Sequence, residues 1–325
     1  MEQRYLGGLW PVSALTLGGG GTGQVWGETT REEAIATTRA AADAGITLFD
    51  MAPSYGRGEA EEVMGLAFDG PPPNSARVTT KCQLGSRPAD EVYPKLERSL
   101  HESLARMKLE HVDLFFLHSN ICPDDYTYAR HAEHQDRFAT RWSLYLEQVV
   151  PAMEKLVASG LASAWGITAT GVPQTVMDAM AQDLKPAVAQ CVANPMDAVG
   201  NMQSYAEPGQ PRNVIRHAKA NGLGVMGIRA VAAGSLTKAI DRDLPDDEAT
   251  VVDYHKAARY RALCSELGED PAIMAYRYAL AMDGVDTVVL GVKNRAELAQ
   301  CVEAADRGPL EHELVERIDA LGLTA

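Results

Sequence analysis

The sequence is short of positive charge, because its 30 Lys and Arg residues are outnumbered by 44 Asp and Glu residues, giving a formal net charge of -14. A mean field of that sign repels the polyanionic backbone of nucleic acids and the surface of anionic membranes. We therefore expect no nucleic-acid partner and no membrane association. A local basic pocket for a small anionic ligand is still compatible with this composition.

Paired cysteines and long apolar segments are also missing. No Cys-x-x-Cys pair is present, which argues against a disulfide framework and a zinc ribbon. No segment approaches the roughly 18 apolar residues of a membrane span. Residues 1–6 lack the basic start and apolar stretch of a secretion signal, so we expect a cytoplasmic protein. The five cysteines, which we expect to be reduced, are Cys82, Cys122, Cys191, Cys264 and Cys301.

What the chain does have is a regular alternation of strand-like and helix-like segments. Eight short apolar runs are separated by segments with helical periodicity, and no linker-like stretch interrupts them. This pattern favours an α/β fold, a closed (β/α)8 TIM barrel, over an open doubly wound sheet. We expect a single domain over residues 1–325. The predicted strands are Ala14–Leu17, Ile46–Asp50, Arg77–Lys81, Val112–His118, Ala162–Thr168, Ala187–Val192, Gly224–Ile228 and Thr287–Gly291.

Three long connections follow predicted strands rather than helices, so they are expected to lie over the carboxyl-terminal face of the barrel. They are Ser119–Trp142, Ala193–Gln210 and Arg229–Thr250. Irregular connections of this length are usually functional. The helices expected between the strands are Thr30–Ala44, Glu59–Phe68, Asp90–Met107, Glu147–Ser159, Pro173–Gln182 and Pro211–Ala220, followed by a helical region over Val252–Met282 and the helices Asn294–Ala305 and Glu311–Ala320.

A glycine-rich segment, Gly18–Gly23, fits the G-x-G-x-x-G pattern of dinucleotide-binding sheets. In a true fingerprint the last glycine opens directly into a helix that holds the pyrophosphate. Here six residues intervene, and the capping box that begins at Thr30 places the helix start there. We therefore predict a flexible loop that lets a ligand approach the backbone. Thr22 in this segment is a candidate cofactor contact.

Three predicted strands each end in one ionisable side chain, namely Asp50, Lys81 and His118, and Tyr55 follows the first of them in a turn. The carboxyl ends of barrel strands open on one face, where active sites are assembled from several strands. We expect these four residues to meet in one pocket. The alternative, that each is an isolated cap, surface lysine or structural histidine, explains them less well as a set.

The four residue types suit carbonyl reduction, which needs a hydride at carbon and a proton at oxygen. Tyr55 is the candidate acid, and the ammonium of Lys81 would lower its pKa by favouring the phenolate. Asp50 would keep Lys81 charged and oriented, and His118 would donate a hydrogen bond to the substrate oxygen. A Schiff base on Lys81, as in a barrel aldolase, is an alternative chemistry.

In these segments the chain resembles the aldo-keto reductase family. The likeness rests on residues 49–56, on Thr80-Lys81 and on residues 112–118, and it extends to residues 165–168, 190–195 and 290–298. It implies an (α/β)8 barrel that binds NADP(H), with Asp50, Tyr55, Lys81 and His118 as the catalytic tetrad.

The resemblance also implies cofactor contacts. Thr168 and Gln190 would lie beside the nicotinamide carboxamide, and residues 228–236 would cover the ring and the pyrophosphate. Arg229 can hold the pyrophosphate or an anionic substrate group, although pairing with a loop carboxylate is equally open. The sequence departs from the family pattern in three places: Ala169, Ile228 and Cys301 stand where many relatives have an amide-binding Asn, a ring-stacking Tyr and an adenine-contacting Asn.

The segment after the last predicted strand bears on the choice of cofactor. Gly291, Lys293 and Asn294 precede a helix, and a lysine with helix-terminal amides suits a 2′-phosphate. This favours NADP(H). Glu297, one turn later, repels that phosphate if it faces the site, so NAD(H) is also possible.

The first long connection contains residue types that bind metal ions, since His131 and His134 stand near Cys122, Asp124, Asp125 and Asp136. A substrate-covering loop explains this segment better, and we predict no metal. The predicted function is NADPH-dependent reduction of an aldehyde or ketone. The alternatives are an NAD(P)+-dependent aldose dehydrogenase and a cofactor-binding regulatory subunit with slow turnover. The expected partner is a small carbonyl or sugar substrate; the oligomeric state is not legible.

Overall fold

The structure is a computed structural model, and it describes residues 1–68 and 70–324. Strands in this part of the chain alternate with helices as the sequence predicts. The strands are β1 (Gln3–Tyr5), β2 (Pro11–Ser13), β3 (Leu15–Gly18), β4 (Leu48–Asp50), β5 (Arg77–Cys82), β6 (Val112–Leu117), β7 (Asn120–Cys122), β8 (Ala139–Arg141), β9 (Ala162–Thr168), β10 (Val188–Val192), β11 (Gly224–Ile228) and β12 (Thr287–Leu290).

Eight of these strands close into a parallel barrel in the order β3, β4, β5, β6, β9, β10, β11 and β12, with β12 returning to β3. The predicted TIM barrel is therefore confirmed. The remaining strands lie outside it, with β1 and β2 forming an antiparallel hairpin and β7 and β8 a two-stranded parallel sheet.

The barrel closes because its strands are apolar on both faces. Side chains alternate between the two faces of a strand. In β6, Leu114 and Phe116 belong to a cluster that fills the barrel interior, whereas Phe115 and Leu117 pack in the larger cluster that includes the helices. Leu6 from the β1–β2 hairpin joins the interior cluster, so the hairpin closes the amino-terminal end of the barrel.

The helices surround the barrel and fill the connections between strands. They are α1 (Gly19–Thr22), α2 (Arg31–Asp43), α3 (Glu59–Ala67), α4 (Ala89–Met107), α5 (Gln135–Phe138), α6 (Trp142–Leu144), α7 (Val150–Ala158), α8 (Pro173–Met180), α9 (Pro211–Ala220), α10 (Ala249–Lys256), α11 (Ala258–Glu266), α12 (Pro271–Ala281), α13 (Arg295–Asp306) and α14 (His312–Asp319). Among the helices of the described residues, none has the length and hydropathy that spanning a lipid bilayer requires.

Helix α2 begins where its capping box predicts, because the Thr30 side chain accepts a hydrogen bond from the Glu33 amide at 3.1 Å. The predicted helix over Glu147–Ser159 is wrong at its start. The helical segment begins at Trp142 and passes through a π-helical turn, Tyr145–Val149, before α7. Tyr145 is fully buried and stacks on Trp142, so packing extends the helix beyond the point where the sequence pattern becomes clear.

The glycine-rich segment is not the flexible loop that we predicted. Gly19–Thr22 form the short helix α1, and all four residues are buried. A side chain at Gly21 would place its Cβ 2.0 Å from the Val292 carbonyl oxygen. These glycines therefore permit close packing against the end of the last barrel strand.

The connection over Ser119–Trp142 is not irregular, since it contains β7, α5 and β8. It is tied to the connection over Ala193–Gln210. The Tyr126 hydroxyl bonds Glu207 at 2.6 Å, and the amide of Ala129 donates to the Ser204 carbonyl at 2.9 Å. These two segments form one hydrogen-bonded wall.

Candidate active site

Strand alternation explains why the predicted residues converge. Leu48 and Val188 fill the barrel interior, so Asp50 and Gln190, two residues further along β4 and β10, also point inward and lie nearer the carboxyl-terminal end. Lys81 at the end of β5 projects inward in the same way. The sequence thus places a polar layer directly above an apolar floor.

Lys81 is the centre of this layer. Its ammonium donates to Asp50 Oδ2 at 2.7 Å and to the carbonyl of Met51 at 2.9 Å, and its side chain is fully buried. The ammonium also lies close enough to the Tyr55 phenol to interact with it electrostatically. A carboxylate and a backbone carbonyl therefore fix the Lys81 ammonium beside a phenol.

Tyr55 and His118 complete the group of four. Tyr55 begins a tight turn, Tyr55–Gly58, in which Gly56 adopts φ +65°. The Lys81 nitrogen lies 4.8 Å from the centre of the Tyr55 ring. The His118 ring meets the Tyr55 ring edge to face, with 5.9 Å between their centres. The structure thus brings all four predicted tetrad residues together.

Burial and charge set the protonation states of this group. Burial lowers the pKa of Lys81, but Asp50 and Tyr55 outweigh that effect, so its pKa is raised and the ammonium stays charged. Burial raises the pKa of Tyr55, and Lys81 opposes this only in part. The predicted lowering by Lys81 is therefore real but smaller than the effect of burial. Burial and Lys81 together lower the pKa of His118 to about 3, so its imidazole is neutral at pH 7.

Sequence analysis missed Thr79, which donates to Asp50 Oδ1 at 2.6 Å. Thr79 is fully buried and pairs with Asp50 in the register of β4 and β5. A signal was present, because Thr79 lies two residues before Lys81 and so shares its inward face. Gln190 donates to the same oxygen at 2.7 Å.

A second missed residue lies on the outer side of β5. Glu61 in α3 is fully buried, accepts a hydrogen bond from Thr80 at 2.5 Å and pairs with Arg106 of α4 at 2.6 Å. Helix α3 follows the Tyr55 turn directly, so this bond links that turn to the strand carrying Lys81. No sequence motif distinguishes Glu61 from the neighbouring helix acids.

The residues predicted to contact the cofactor differ in burial and in what their side chains contact. Thr168 at the end of β9 is buried and donates to the Leu117 carbonyl at 3.2 Å. Ile228 ends β11 and is half-buried. Gln190 is directed at Asp50. Thr22 is almost fully buried, and its hydroxyl bonds the Gly19 carbonyl at 3.3 Å, so its side chain is turned into its own helix.

Arg229 follows β11 in a left-handed backbone conformation, with φ +60°. Its Nε donates to the Ala198 carbonyl at 3.3 Å, while Nη2 is buried and has no hydrogen-bond partner among the described residues. Burial lowers its pKa to about 10. An unpartnered buried guanidinium nitrogen is costly unless an anion satisfies it. This environment fits a phosphate or carboxylate ligand.

Around Lys293, which we predicted as the cation for a 2′-phosphate, the structure places two carboxylates. The Lys293 ammonium pairs with Asp241, from the connection after β11, and with Glu297 at 2.9 Å. Glu297 also accepts the Lys293 amide at 2.9 Å, and Asn294 accepts the Glu297 amide at 2.9 Å as the amino-terminal cap of α13. Two carboxylates therefore balance the charge of Lys293 in this state.

Gly291 and Cys301 lie apart from each other. A Cβ at Gly291 would meet the Trp26 ring at 3.2 Å, so this glycine lies under an aromatic side chain at the barrel mouth. Cys301 is buried in the outer core near Tyr276, and burial raises the pKa of its thiol to about 12. Its side chain faces the core rather than an open groove.

The candidate metal residues do not assemble. Across residues 1–68 and 70–324, no group of three or more His, Cys, Asp or Glu side chains is arranged to hold a metal ion. Cys122 is buried next to Gln135. His131 and His134 are exposed and lie within 4 Å of Glu133.

Comparison with known proteins agrees with this architecture. The model of the Aldo/keto reductase family matches residues 14–322. The chain is 26% identical over 308 residues to an L-galactose dehydrogenase of Arabidopsis thaliana, covering 94% of this chain and 88% of that protein. It is also 26% identical over 321 residues to a probable voltage-gated potassium channel subunit beta of Oryza sativa, with coverages of 89% and 87%.

Among solved structures, a glycerol dehydrogenase from Gluconobacter oxydans superimposes with a TM-score of 0.71 at 20% identity, covering 98% of this chain and 94% of that one. This similarity shows the shared fold. The family match covers nearly the whole chain and confirms the resemblance inferred from the tetrad motifs. The chain therefore belongs to the aldo/keto reductase family of oxidoreductases.

Proposed function

We propose that this protein is an NADPH-dependent oxidoreductase that reduces an aldehyde or ketone to an alcohol, with Tyr55 as the proton donor. The observation that carries the proposal is the position of the Lys81 ammonium, which bonds the Asp50 carboxylate at 2.7 Å and lies 4.8 Å from the centre of the Tyr55 ring. A phenol beside a buried ammonium suits proton transfer to a substrate oxygen.

The residues present fit a nicotinamide dinucleotide. Arg229 offers an unsatisfied guanidinium nitrogen for the pyrophosphate, Thr168 and Ile228 lie at strand ends beside the tetrad, and Gly291 and Lys293 lie along the edge of the barrel mouth. When bound, the reduced nicotinamide supplies the hydride that the carbonyl carbon receives.

The tetrad residues then have separate tasks. Tyr55 donates its phenolic proton to the substrate oxygen as that oxygen gains negative charge. Lys81 stabilises the resulting phenolate, because its buried ammonium lies beside the phenol before the reaction starts. Asp50 keeps the ammonium charged and fixes its position.

His118 acts as a neutral hydrogen-bond donor. With its pKa lowered to about 3, the ring carries one N–H at pH 7 and no charge. It can therefore orient the substrate oxygen without competing with Tyr55 as the acid. Its edge-to-face contact with the Tyr55 ring keeps the two donors on one side of the pocket.

The cofactor preference depends on the residues around Lys293. We propose NADPH, with the Lys293 ammonium and the start of α13 receiving the 2′-phosphate. Binding of that phosphate requires Asp241 to release Lys293, because two carboxylates now share the ammonium. The same carboxylates suit the hydroxyls of an unphosphorylated ribose, so NADH is the alternative cofactor.

A second candidate function is oxidation of an aldose with NAD(P)+. The 26% identity with an L-galactose dehydrogenase over 94% of this chain favours it. The same tetrad serves the reverse reaction, in which the Tyr55 phenolate accepts the proton of a substrate hydroxyl. The similarity to a potassium channel subunit beta supports the third reading, a cofactor-binding regulatory subunit that turns over slowly.

The test is a pair of measurements on the wild-type protein. Titration of NADPH and NADH against the tryptophan fluorescence gives both dissociation constants. A screen of aldehydes, ketones and aldoses in both directions then separates the candidates. Reduction of carbonyls at several turnovers per second supports the proposal, predominant oxidation of aldoses supports the second candidate, and tight NADPH binding with negligible turnover supports the third.

A further inference from the structure

We infer that Thr79 and Gln190 are positioning residues that hold the Asp50 carboxylate from two sides of the barrel and thereby set the proton affinity of Tyr55. The catalytic part of this inference rests on the proposed function. The contacts that carry it lie between side chains of the protein itself.

The two oxygens of the Asp50 carboxylate accept hydrogen bonds from different kinds of donor. Oδ1 accepts two neutral donors, the Thr79 hydroxyl at 2.6 Å and the Gln190 amide at 2.7 Å. Oδ2 accepts only a charged donor, the Lys81 ammonium at 2.7 Å, among the hydrogen bonds of the described residues. All four side chains are buried, so water does not compete for these bonds.

The bond from Gln190 spans the barrel. Strands β5, β6 and β9 separate β4 from β10 on one side, and β3, β12 and β11 separate them on the other. Gln190 therefore reaches Asp50 from the strand diametrically opposite. Its amide nitrogen also lies 3.9 Å from the Met226 sulfur, which belongs to the apolar floor. Asp50 is held both by its neighbouring strand and by the far wall.

Hydrogen bonds from neutral donors disperse the carboxylate charge and fix the orientation of Oδ1, which in turn points Oδ2 at Lys81. Without them, Asp50 presents more of its charge to the ammonium and draws it away from the phenol. Since Asp50 already acts to raise the pKa of Tyr55 and Lys81 to lower it, loss of either neutral donor should raise that pKa further.

The charged and titratable groups facing Asp50 from the surrounding strands are Lys81, Tyr55 and His118. His118 is neutral across the relevant range because its pKa is about 3. Glu61 lies on the outer side of β5, where Arg106 pairs with it at 2.6 Å. A shift of the pH profile in a variant therefore reports on Asp50, Lys81 and Tyr55.

The experiment compares Thr79→Val and Gln190→Met with the wild-type holoenzyme. In the oxidation direction, activity rises with pH as Tyr55 loses its proton, and this rise should move to higher pH by roughly half a unit or more in both variants. Thr79→Val should leave the dissociation constant of NADPH unchanged. Thr79→Ser keeps the hydroxyl and should restore the wild-type profile.

A matched control is Thr16→Val. Thr16 is an equally buried strand threonine, but its hydroxyl bonds Thr287 at 2.8 Å rather than Asp50. This variant should lose some stability without moving the pH profile. Circular dichroism of every variant checks that each one is folded.

A readout independent of turnover comes from ¹³Cζ-labelled tyrosine, with Tyr55→Phe used to assign the resonance. At a fixed alkaline pH where wild-type Tyr55 is partly ionised, both variants should show a smaller phenolate fraction. If Thr79→Val and Gln190→Met are folded and the Tyr55 resonance titrates as in wild type, the positioning role is wrong. If the resonance shifts as expected while no carbonyl or aldose is turned over, the proposed function fails and the inference stands.

Discussion

Lys81 and Asp50 form a buried ion pair whose nitrogen and oxygen lie 2.7 Å apart, with the lysine side chain fully inaccessible to solvent. Such a pair stabilises a fold weakly as a whole, but removing one partner leaves the other charge buried without compensation. The same ammonium lies 4.8 Å from the centre of the Tyr55 ring, which is the arrangement that the proposed proton transfer requires.

We expect Lys81→Met to abolish turnover and to lower the free energy of unfolding by about 3–5 kcal/mol, because Asp50 is left without its countercharge. Combining it with Asp50→Asn removes both charges and keeps an oxygen for Thr79 and Gln190. The double variant should therefore be more stable than Lys81→Met and equally inactive. Urea unfolding measures the stability of the single and double variants. A double variant that is less stable than Lys81→Met contradicts this account of the ion pair.

The lowered pKa of His118 predicts how the free energy of unfolding depends on pH. Its pKa falls from 6.5 to about 3 on folding because burial and Lys81 disfavour the imidazolium. A group with a depressed folded pKa contributes stability that is complete above the unfolded pKa and lost as pH falls. Wild type should therefore lose roughly 1–2 kcal/mol more than His118→Asn between pH 7 and pH 5. Equal losses in the two proteins, measured by urea unfolding, would show that His118 titrates normally in the fold.

Arg229 is expected to bind the pyrophosphate of the dinucleotide. Arg229→Met should weaken NADPH binding by about 10-fold or more, because a charge-assisted contact to a phosphate is lost. It should change the stability of the protein alone little, because Nη2 has no partner among the described residues, and the Ala198 carbonyl that accepts from Nε also accepts from Asn194.

The control for Arg229 is Arg216→Met on α9, where the guanidinium bonds Asn213 on the exposed surface at 2.9 Å. This variant should bind NADPH as wild type does. Fluorescence titration gives the dissociation constants. Unchanged NADPH affinity in Arg229→Met would show that Arg229 does not bind the cofactor.

Asp241 is expected to weaken the binding of NADPH more than that of NADH, because it neutralises the charge of Lys293, the residue proposed to bind the 2′-phosphate. Asp241→Ala should lower the NADPH dissociation constant relative to that of NADH by about 5- to 10-fold. Asp243→Ala is a matched control on an exposed carboxylate of the same connection. An unchanged ratio of the two constants in Asp241→Ala places the 2′-position away from Lys293.

The barrel, and the convergence of Asp50, Tyr55, Lys81 and His118 at one end of it, could be predicted from sequence because both depend on short-range patterns. Inward and outward positions alternate along each strand, and the strand ends of Asp50, Lys81 and His118 are visible as apolar runs that stop at one ionisable residue. The closed topology then brings these ends together without further information.

What the sequence did not predict depends on contacts between distant segments. The bond from Gln190 to Asp50 crosses the barrel, and the pairing of Lys293 with Asp241 joins residues 52 positions apart. The regular structure of residues 119–142 is stabilised by hydrogen bonds to residues 193–210. The net rise in the Tyr55 pKa reflects burial, which a single sequence does not quantify.

The central claim is that Tyr55 supplies the proton, and the most direct measurement is single-turnover reduction of a carbonyl substrate by the NADPH complex of Tyr55→Phe. The phenyl ring preserves packing on His118, while the substitution removes the hydroxyl that lies near Lys81. We expect the hydride-transfer rate to fall by about 100-fold or more, with the NADPH dissociation constant within about twofold of wild type. A Tyr55→Phe protein that reduces the substrate at the wild-type rate would contradict the claim.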